Sequence, residues 1–259
     1  FAFTGNKFEF RSLGSAISIA CPNIMLNTMV AEELRQFADE LESAEDLKSA
    51  VTELVRRVMK EHKRIIFNGD GYSEEWVKEA ERRGLLNLRT TVDALPRYLD
   101  KKNIDLFTSH KIYTEAEMTA RYETILEEYV KTLHIEAVTF ISMARHKVIP
   151  AVSGYLRDLA GAVSAKREIL KDLPCTAETD LLQKLSALLD EAYAQTETLN
   201  AALDVPEAAD PDVLKAAAYY RDHVIPVMET LRATVDKLEE NVSAERWPYP
   251  TYAELMFNV

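Results

Sequence analysis

From about residue 114 to residue 242 the sequence keeps an amphipathic helical period with few interruptions, and this run decides the fold class. EAEMTARYETILEEYVKTLHIEAVTFISMARHKVIP reads as one long helix. So do the stretch after Pro150 (PAVSGYLRDLAGAVSAKREILKDL), TAETDLLQKLSALLDEAYAQTETLNAAL, and the run from about Pro211 to Val242. Four long amphipathic helices joined by short turns containing Pro or Asp predict an antiparallel bundle. Seven Gly and nine Pro in 259 residues fit a mainly α chain with modest loop content. A short internal echo, RHKVIPAV at 145–152 against RDHVIPVM at 221–228, places Pro150 and Pro226 in equivalent company and is compatible with a duplicated helical hairpin. The tail RWPYPTYAELMFNV holds two prolines and does not continue the last helix. It is expected to pack back across the bundle or onto a neighbouring chain.

The first 113 residues read differently. KFEFR at 7–11 alternates charge with phenylalanine, as a strand does, after the turn-forming pair Gly5-Asn6. SLGSAISIACPN is a loop or a short extended piece. A helix is predicted over 24–41, with Leu26, Met29, Val30, Leu34, Phe37 and Leu41 three and four apart and Asn23 as its cap. A second helix carries Leu47, Val51, Leu54, Val55 and Val58 as one stripe. Ile65-Ile66-Phe67 is a short strand candidate followed by an NGDG turn. Ser73 then caps a helix that starts with Glu74 and Glu75 and is stopped by Gly84. TTVDALPRYLDKKNIDLFTSHKIYT predicts two short helices, the first capped by Thr91 or Asp93, with Asn103 as the break between them. The expected domains are residues 1–113 and 114–259.

Asp and Glu number 43 against 31 Lys and Arg, for a formal charge of −12. Such a field repels phosphate polymers and argues against a general nucleic-acid or anionic-membrane surface. It leaves room for a nucleotide site dominated locally by a metal and a few arginines. Cys21 and Cys175 form no CxxC pair and are expected to be buried or half-buried thiols in a reducing, cytoplasmic setting. No stretch approaches 18 apolar residues, and FAFTGNK has neither the basic flank nor the apolar segment of a signal peptide. A start without Met, directly in strand-like sequence, fits a piece of something longer.

Candidate chemistry concentrates in KFEFR. In a strand, Lys7, Glu9 and Arg11 share one face, ~6–7 Å apart, and Phe8 and Phe10 share the other, where the two rings are expected to be buried. That face is either a salt-bridged solvent surface or a metal-and-phosphate surface, with a carboxylate for a divalent cation between two cations. Alternation alone does not choose. The five histidines, 62, 110, 134, 146 and 223, make no metal pattern and read as structural or solvated. FNGDGY at 67–72 lacks the spacing of either nucleotide-binding glycine motif and reads as a tight turn, although Asp70 offers a carboxylate. The glutamate-rich helix faces read as solvated.

Several of these segments together resemble glutamine synthetase, specifically the C-terminal portion of the long bacterial type III class. They are FAFTGNKFEFR with SLGSAISIACPNIMLNTMVAEEL, the stretch LNLRTTVDALPRYLDKKNIDLFTSHKIYTEAEMTARYETILEEYVK, and the terminal WPYPTYAELMFNV. The resemblance implies the end of a catalytic domain, short strand plus helices, followed by the bundle. It implies Glu9 as a ligand to one of two Mg²⁺ or Mn²⁺ ions, and Arg11 as the contact to glutamate and the transferred phosphoryl group. Lys7 stands where the family usually has an arginine facing ATP phosphates, which keeps the charge and loses the planar fork. The family's N-P-Y triplet is replaced by Pro22-Asn23-Ile24, so no site role passes to that region. Also implied are ATP-dependent amide synthesis from glutamate and ammonia, a missing N-terminal part of the same subunit, and homo-oligomeric rings forming a dodecamer. The isolated segment is expected to be inactive. The alternatives are an assembly or regulator-docking module without catalysis of its own, or a free helical regulator.

Overall fold

The computed structural model describes residues 2–3, 7–11, 14, 17–250 and 252–257. The chain is mainly α, with a short β ribbon near its start and long helices after it. It divides into two compact units, Phe1–Tyr122 and Glu123–Val259.

In the first unit, β1 (Ala2–Phe3) pairs antiparallel with β2 (Phe8–Glu9), Ala2 opposite Glu9 and Phe3 opposite Phe8. The helix read as 24–41 is α1 (Ala20–Leu41) and starts earlier than its expected cap. Pro22 is the reason: in a first turn its missing N–H has no helical partner to lose. The Asn23 N–H instead bonds Ile19 O at 3.2 Å. α2 (Leu47–Glu61) is capped by Asp46, whose carboxylate accepts from the N–H groups of Lys48 and Ser49 at 3.1 and 3.3 Å. Arg57 ties α2 back to Glu40 of α1.

Ile65-Ile66-Phe67 forms no strand. Lys63–Ile65 is a turn of 3-10 helix, and the carbonyls of Arg64 and Ile66 accept from the Arg83 side chain instead of from a strand partner. α3 (Glu74–Arg82) is capped by Ser73 and ends at Gly84, which has φ +75°. α4 (Thr91–Ala94) is capped by Thr90, one residue before the expected position, because the Thr90 hydroxyl both accepts from the Asp93 N–H and donates to the Asp93 carboxylate. Asn103 lies inside α5 (Lys101–Ser109), where its amide donates to Arg97 O at 2.6 Å and so joins the two segments. Leu54, Val92, Phe107 and Met118 are the buried hydrophobics of this unit among the described residues.

α6 (Glu115–Met143) opens with a reciprocal cap. The Thr114 hydroxyl accepts from the Glu117 N–H, and the Glu117 carboxylate accepts from the Thr114 N–H at 2.8 Å. No turn follows it at Pro150. α6 passes through a π-helical turn, Ala144–Val148, straight into α7 (Ile149–Ile169). The same happens where α9 (Val213–Tyr219) runs through a π turn at Tyr220–Val224 into α10 (Ile225–Glu239). In an ordinary helix a proline ring collides with the carbonyl four residues back. Here the Ile149 N–H reaches five back to Ala144 O, and the Ile225 N–H five back to Tyr220 O, so the wider turn has already moved that carbonyl. The sequence echo therefore marks two equivalent π–proline passages. The expected four long helices are three continuous ones.

α8 (Thr176–Leu203) packs against both α7 and α10, and short connections make the neighbours antiparallel. Val152, Leu185, Leu199, Tyr220, Val224, Leu231 and Leu238 form the centre of the core, each at most 2% exposed. A fully buried Leu is worth about 2 kcal/mol relative to exposure, so this row is the main source of the unit's stability. Trp247 and Tyr249 pack onto it, so the aromatic tail does fold back across the bundle before α11 (Tyr252–Met256). Cys175 is buried as expected; Cys21, in the first turn of α1, is exposed.

Candidate functional site

The alternation in KFEFR places Glu9 and Arg11 on one face. Arg11 Nε and Nη2 donate to Glu9 Oε2 at 3.0 and 2.6 Å. The bonds to Glu9 and its charge, with a smaller contribution from Tyr72, hold the guanidinium more firmly protonated than an ordinary arginine. The pair is exposed, so its value to stability is small. Phe8 and Phe10, expected as the buried back of the strand, are 69% and 49% exposed. A two-stranded ribbon of two residues a side has no second layer to cover them. Lys7 is exposed on the same stretch.

The loop after the 3-10 turn is held by stacked rings and by Arg83. Phe67 stacks on Trp76 with ring centroids 3.7 Å apart, and the Arg83 guanidinium lies over Trp76 at 5.3 Å. Arg83 also pairs with Glu79 at 2.6 Å while bonding the carbonyls of Arg64 and Ile66. Glu79, held by Arg82 and Arg83, is lowered to about 2. Asp70 accepts from the Tyr72 N–H at 2.9 Å, so it serves the turn.

Three histidines make defined contacts. His110 Nε2 lies 2.7 Å from Glu32, which Arg35, Gln36 and His110 together hold well below the usual carboxylate range. His134 Nδ1 lies 2.9 Å from the Tyr220 hydroxyl, and His223 stacks on Tyr219.

Residues 50–167 match the family model described as the glutamine synthetase C-terminal domain. The chain is 38% identical over 188 residues to a glutamine synthetase of Butyrivibrio fibrisolvens, covering 71% of this chain and 27% of that protein. It is 31% identical over 268 residues to a type-3 glutamine synthetase of Dictyostelium discoideum, covering 99% of this chain and 36% of that protein. A glutamine synthetase of Bacteroides fragilis (strain YCH46) gives 31% over 265 residues, again 99% and 36%. The chain belongs to the glutamine synthetase family. Within it the chain is type-III-like, and it spans about a third of the length of the relatives it matches.

The family model does not reach back to Lys7, Glu9 and Arg11, whereas two of the relatives align over nearly the whole chain. A divalent cation of the hard, oxygen-seeking kind takes six or more ligands. Among the described residues no group of three His, Cys, Asp or Glu side chains is placed to hold a metal. Glu9 offers one carboxylate, with one oxygen already bonded to Arg11. The described residues therefore do not fit a metal site by themselves. No helix among them is long and apolar enough to cross a membrane.

Proposed function

We propose that this chain is the C-terminal portion of a cytoplasmic glutamate–ammonia ligase subunit, supplying one wall of an active site whose other walls lie elsewhere in the assembly. Residues 1–113 would then end the catalytic domain, and residues 114–259 form a helical extension. The observation that supports this most is the alignment of 99% of the chain with the type-3 glutamine synthetase of Dictyostelium discoideum, with Glu9 and Arg11 facing one way. In this reading ATP and Mg²⁺ or Mn²⁺ are the cofactors, glutamate and ammonia the substrates, and like subunits in rings the partners.

The chemistry balances in two displacements. A γ-carboxylate oxygen of glutamate attacks the terminal phosphorus of ATP, and ADP leaves. Ammonia then attacks the acyl carbon, the bond to phosphate breaks, and the nitrogen loses a proton to give the amide. Negative charge gathers on the phosphoryl oxygens in the first step and on the acyl oxygen in the second. A positioned guanidinium stabilises such charge more than it stabilises the ground state. Arg11 is assigned to the glutamate carboxylate and the phosphoryl group, and Lys7 to the ATP phosphates as a point charge without a fork. Glu9 is assigned as one ligand of a cation whose remaining ligands come from outside these residues, and it also orients Arg11.

Glu9→Ala in the full-length enzyme tests the assignment. Metal affinity is expected to weaken and turnover to fall by at least about 10²-fold, the size seen when one transition-state stabiliser is removed. The 259-residue chain alone is expected to make no glutamine. Unchanged metal affinity in the variant, or turnover by the chain alone, would overturn the reading.

A further inference from the structure

The aromatic tail closes a hollow on the bundle and is held there stiffly. The Arg246 guanidinium pairs with Asp158 of α7 at 2.5 Å, and the Trp247 N–H donates to Ser243 O at 3.0 Å. Trp247 and Tyr249 each precede a proline, which disfavours the helical conformation at both and stiffens the segment. Between this strap, α6 and α10 lies a cavity of about 240 Å³. Its floor is Ala144 and Val148, the two ends of the first π turn, 2% and 3% exposed. Phe140, Trp247 and Tyr249 line it with aromatic surface. Three charged side chains share the lining. Arg232 Nε donates to Asp236 Oδ1 at 2.6 Å, so this pair of charges offsets itself. Glu239 is half-buried, and among the described residues no hydrogen bond or ion pair engages its carboxylate.

Glu239 stands where a carboxylate is unfavourable. It is the last residue of α10, at the end that carries the negative half of the helix dipole, and Glu240 follows it. An aromatic, apolar pocket with one uncompensated negative charge is complementary to a cation with an apolar body. The faces of Trp and Tyr rings also attract cations, through the negative charge of their π systems. The chain's formal charge of −12 adds a long-range attraction of the same sign. We propose that this pocket binds a small organic cation, an alkylammonium or guanidinium head on a short aliphatic stem. The stem lies on Val148 and the aromatic rings, and the head meets Glu239. The cavity is smaller than the ~300–1,000 Å³ of drug-sized sites, so it takes one such group and not a polypeptide. This site lies wholly within the second unit and does not depend on the assignments of Lys7, Glu9 and Arg11.

Titrating the chain with n-butylammonium, 1-butanol and pentanoate tests this, read by NMR at the indole N–H signals of its two tryptophans, Trp76 and Trp247. The ammonium is expected to shift the Trp247 signal saturably and leave Trp76 unmoved. It should bind at least about tenfold more tightly than the alcohol, the combined size of a partly exposed ion pair and a cation–π contact. Glu239→Gln should weaken the ammonium about fivefold and leave the alcohol unchanged. Removing a negative charge from a helix C-terminus does not threaten the fold. Glu240→Gln, exposed and outside the lining, should leave the ammonium affinity within about twofold. Absence of a saturable Trp247 shift, or equal affinity for the ammonium and either of the other two probes, overturns the proposal. Equal weakening by the two glutamate variants overturns it as well, because the attraction would then belong to the overall charge and not to the pocket.

Discussion

The two units bury their apolar residues in opposite measure. Along α10 and its neighbours the apolar stripe is covered: Leu231 and Leu238 are fully buried against α8. Along α2, Leu47, Val51, Val55 and Met59 recur every four residues and are all exposed, while Leu54 on the adjoining face is buried. Met29, Val30 and Leu34 of α1 are exposed as well. Both regions have the same helical period, so the period reports only that a face is apolar. What covers the face is a separate fact. On the proposed reading, the bare stripe of α2 is an inner surface of a subunit about three times as long as this chain, whereas the bundle has a covered core of its own.

The largest test of that contrast compares one leucine from each unit. Leu231→Ala should destabilise the chain by about 2–5 kcal/mol, since it removes a fully enclosed side chain and leaves a cavity. Leu47→Ala, at a position 58% exposed, should change stability by less than about 0.5 kcal/mol. Urea denaturation measures both, and similar losses would mean that α2 is covered within this chain.

A smaller effect is expected at the π–proline passages. Proline inside a regular helix costs about 3 kcal/mol relative to alanine. Because the π turns have already shifted the obstructing carbonyls, Pro150→Ala and Pro226→Ala should each raise stability by less than about 1 kcal/mol. A gain near 3 kcal/mol would show that the prolines strain the bundle.

The smallest expected effect is electrostatic and belongs to the first unit. Glu79 titrates near about 2 when folded, against an ordinary 4.5, through its bonds to Arg82 and Arg83. A lowered carboxyl stabilises the fold fully above the unfolded value and loses that contribution as pH falls from about 4.5 toward 2. Glu79→Gln should therefore lower the unfolding midpoint slightly at pH 6, with the gap narrowing as pH falls below about 4.5 and vanishing only below about 2. A gap that stays constant between pH 6 and pH 2.5 would assign the effect to packing. The partly exposed position keeps it small.

Much of this molecule was legible from local rules. Ser73 and Gly84 bound α3 as their chemistry requires, and the alternation of KFEFR put Glu9 and Arg11 together. The echo RHKVIP/RDHVIP flagged two equivalent places, although a helix end was expected at Pro150, where the helix runs on. Thr114 and Glu117, with the spacing of a reciprocal cap, were a signal that went unread. Ile65-Ile66-Phe67 misled because a short apolar run has no period of its own, and the Arg83 side chain decided where its carbonyls went.

The sequence by itself determined most of the helices, the Ser73 cap and Gly84 stop of α3, the shared face of Glu9 and Arg11, and the family. These follow from hydrogen bonds and side-chain periods that act within a few residues. The tertiary structure alone decided that α2 leaves an apolar stripe bare and that the carbonyls of Arg64 and Ile66 go to the Arg83 side chain. Each depends on which distant segment arrives to supply a bond or cover a face, and short-range periodicity holds no record of that.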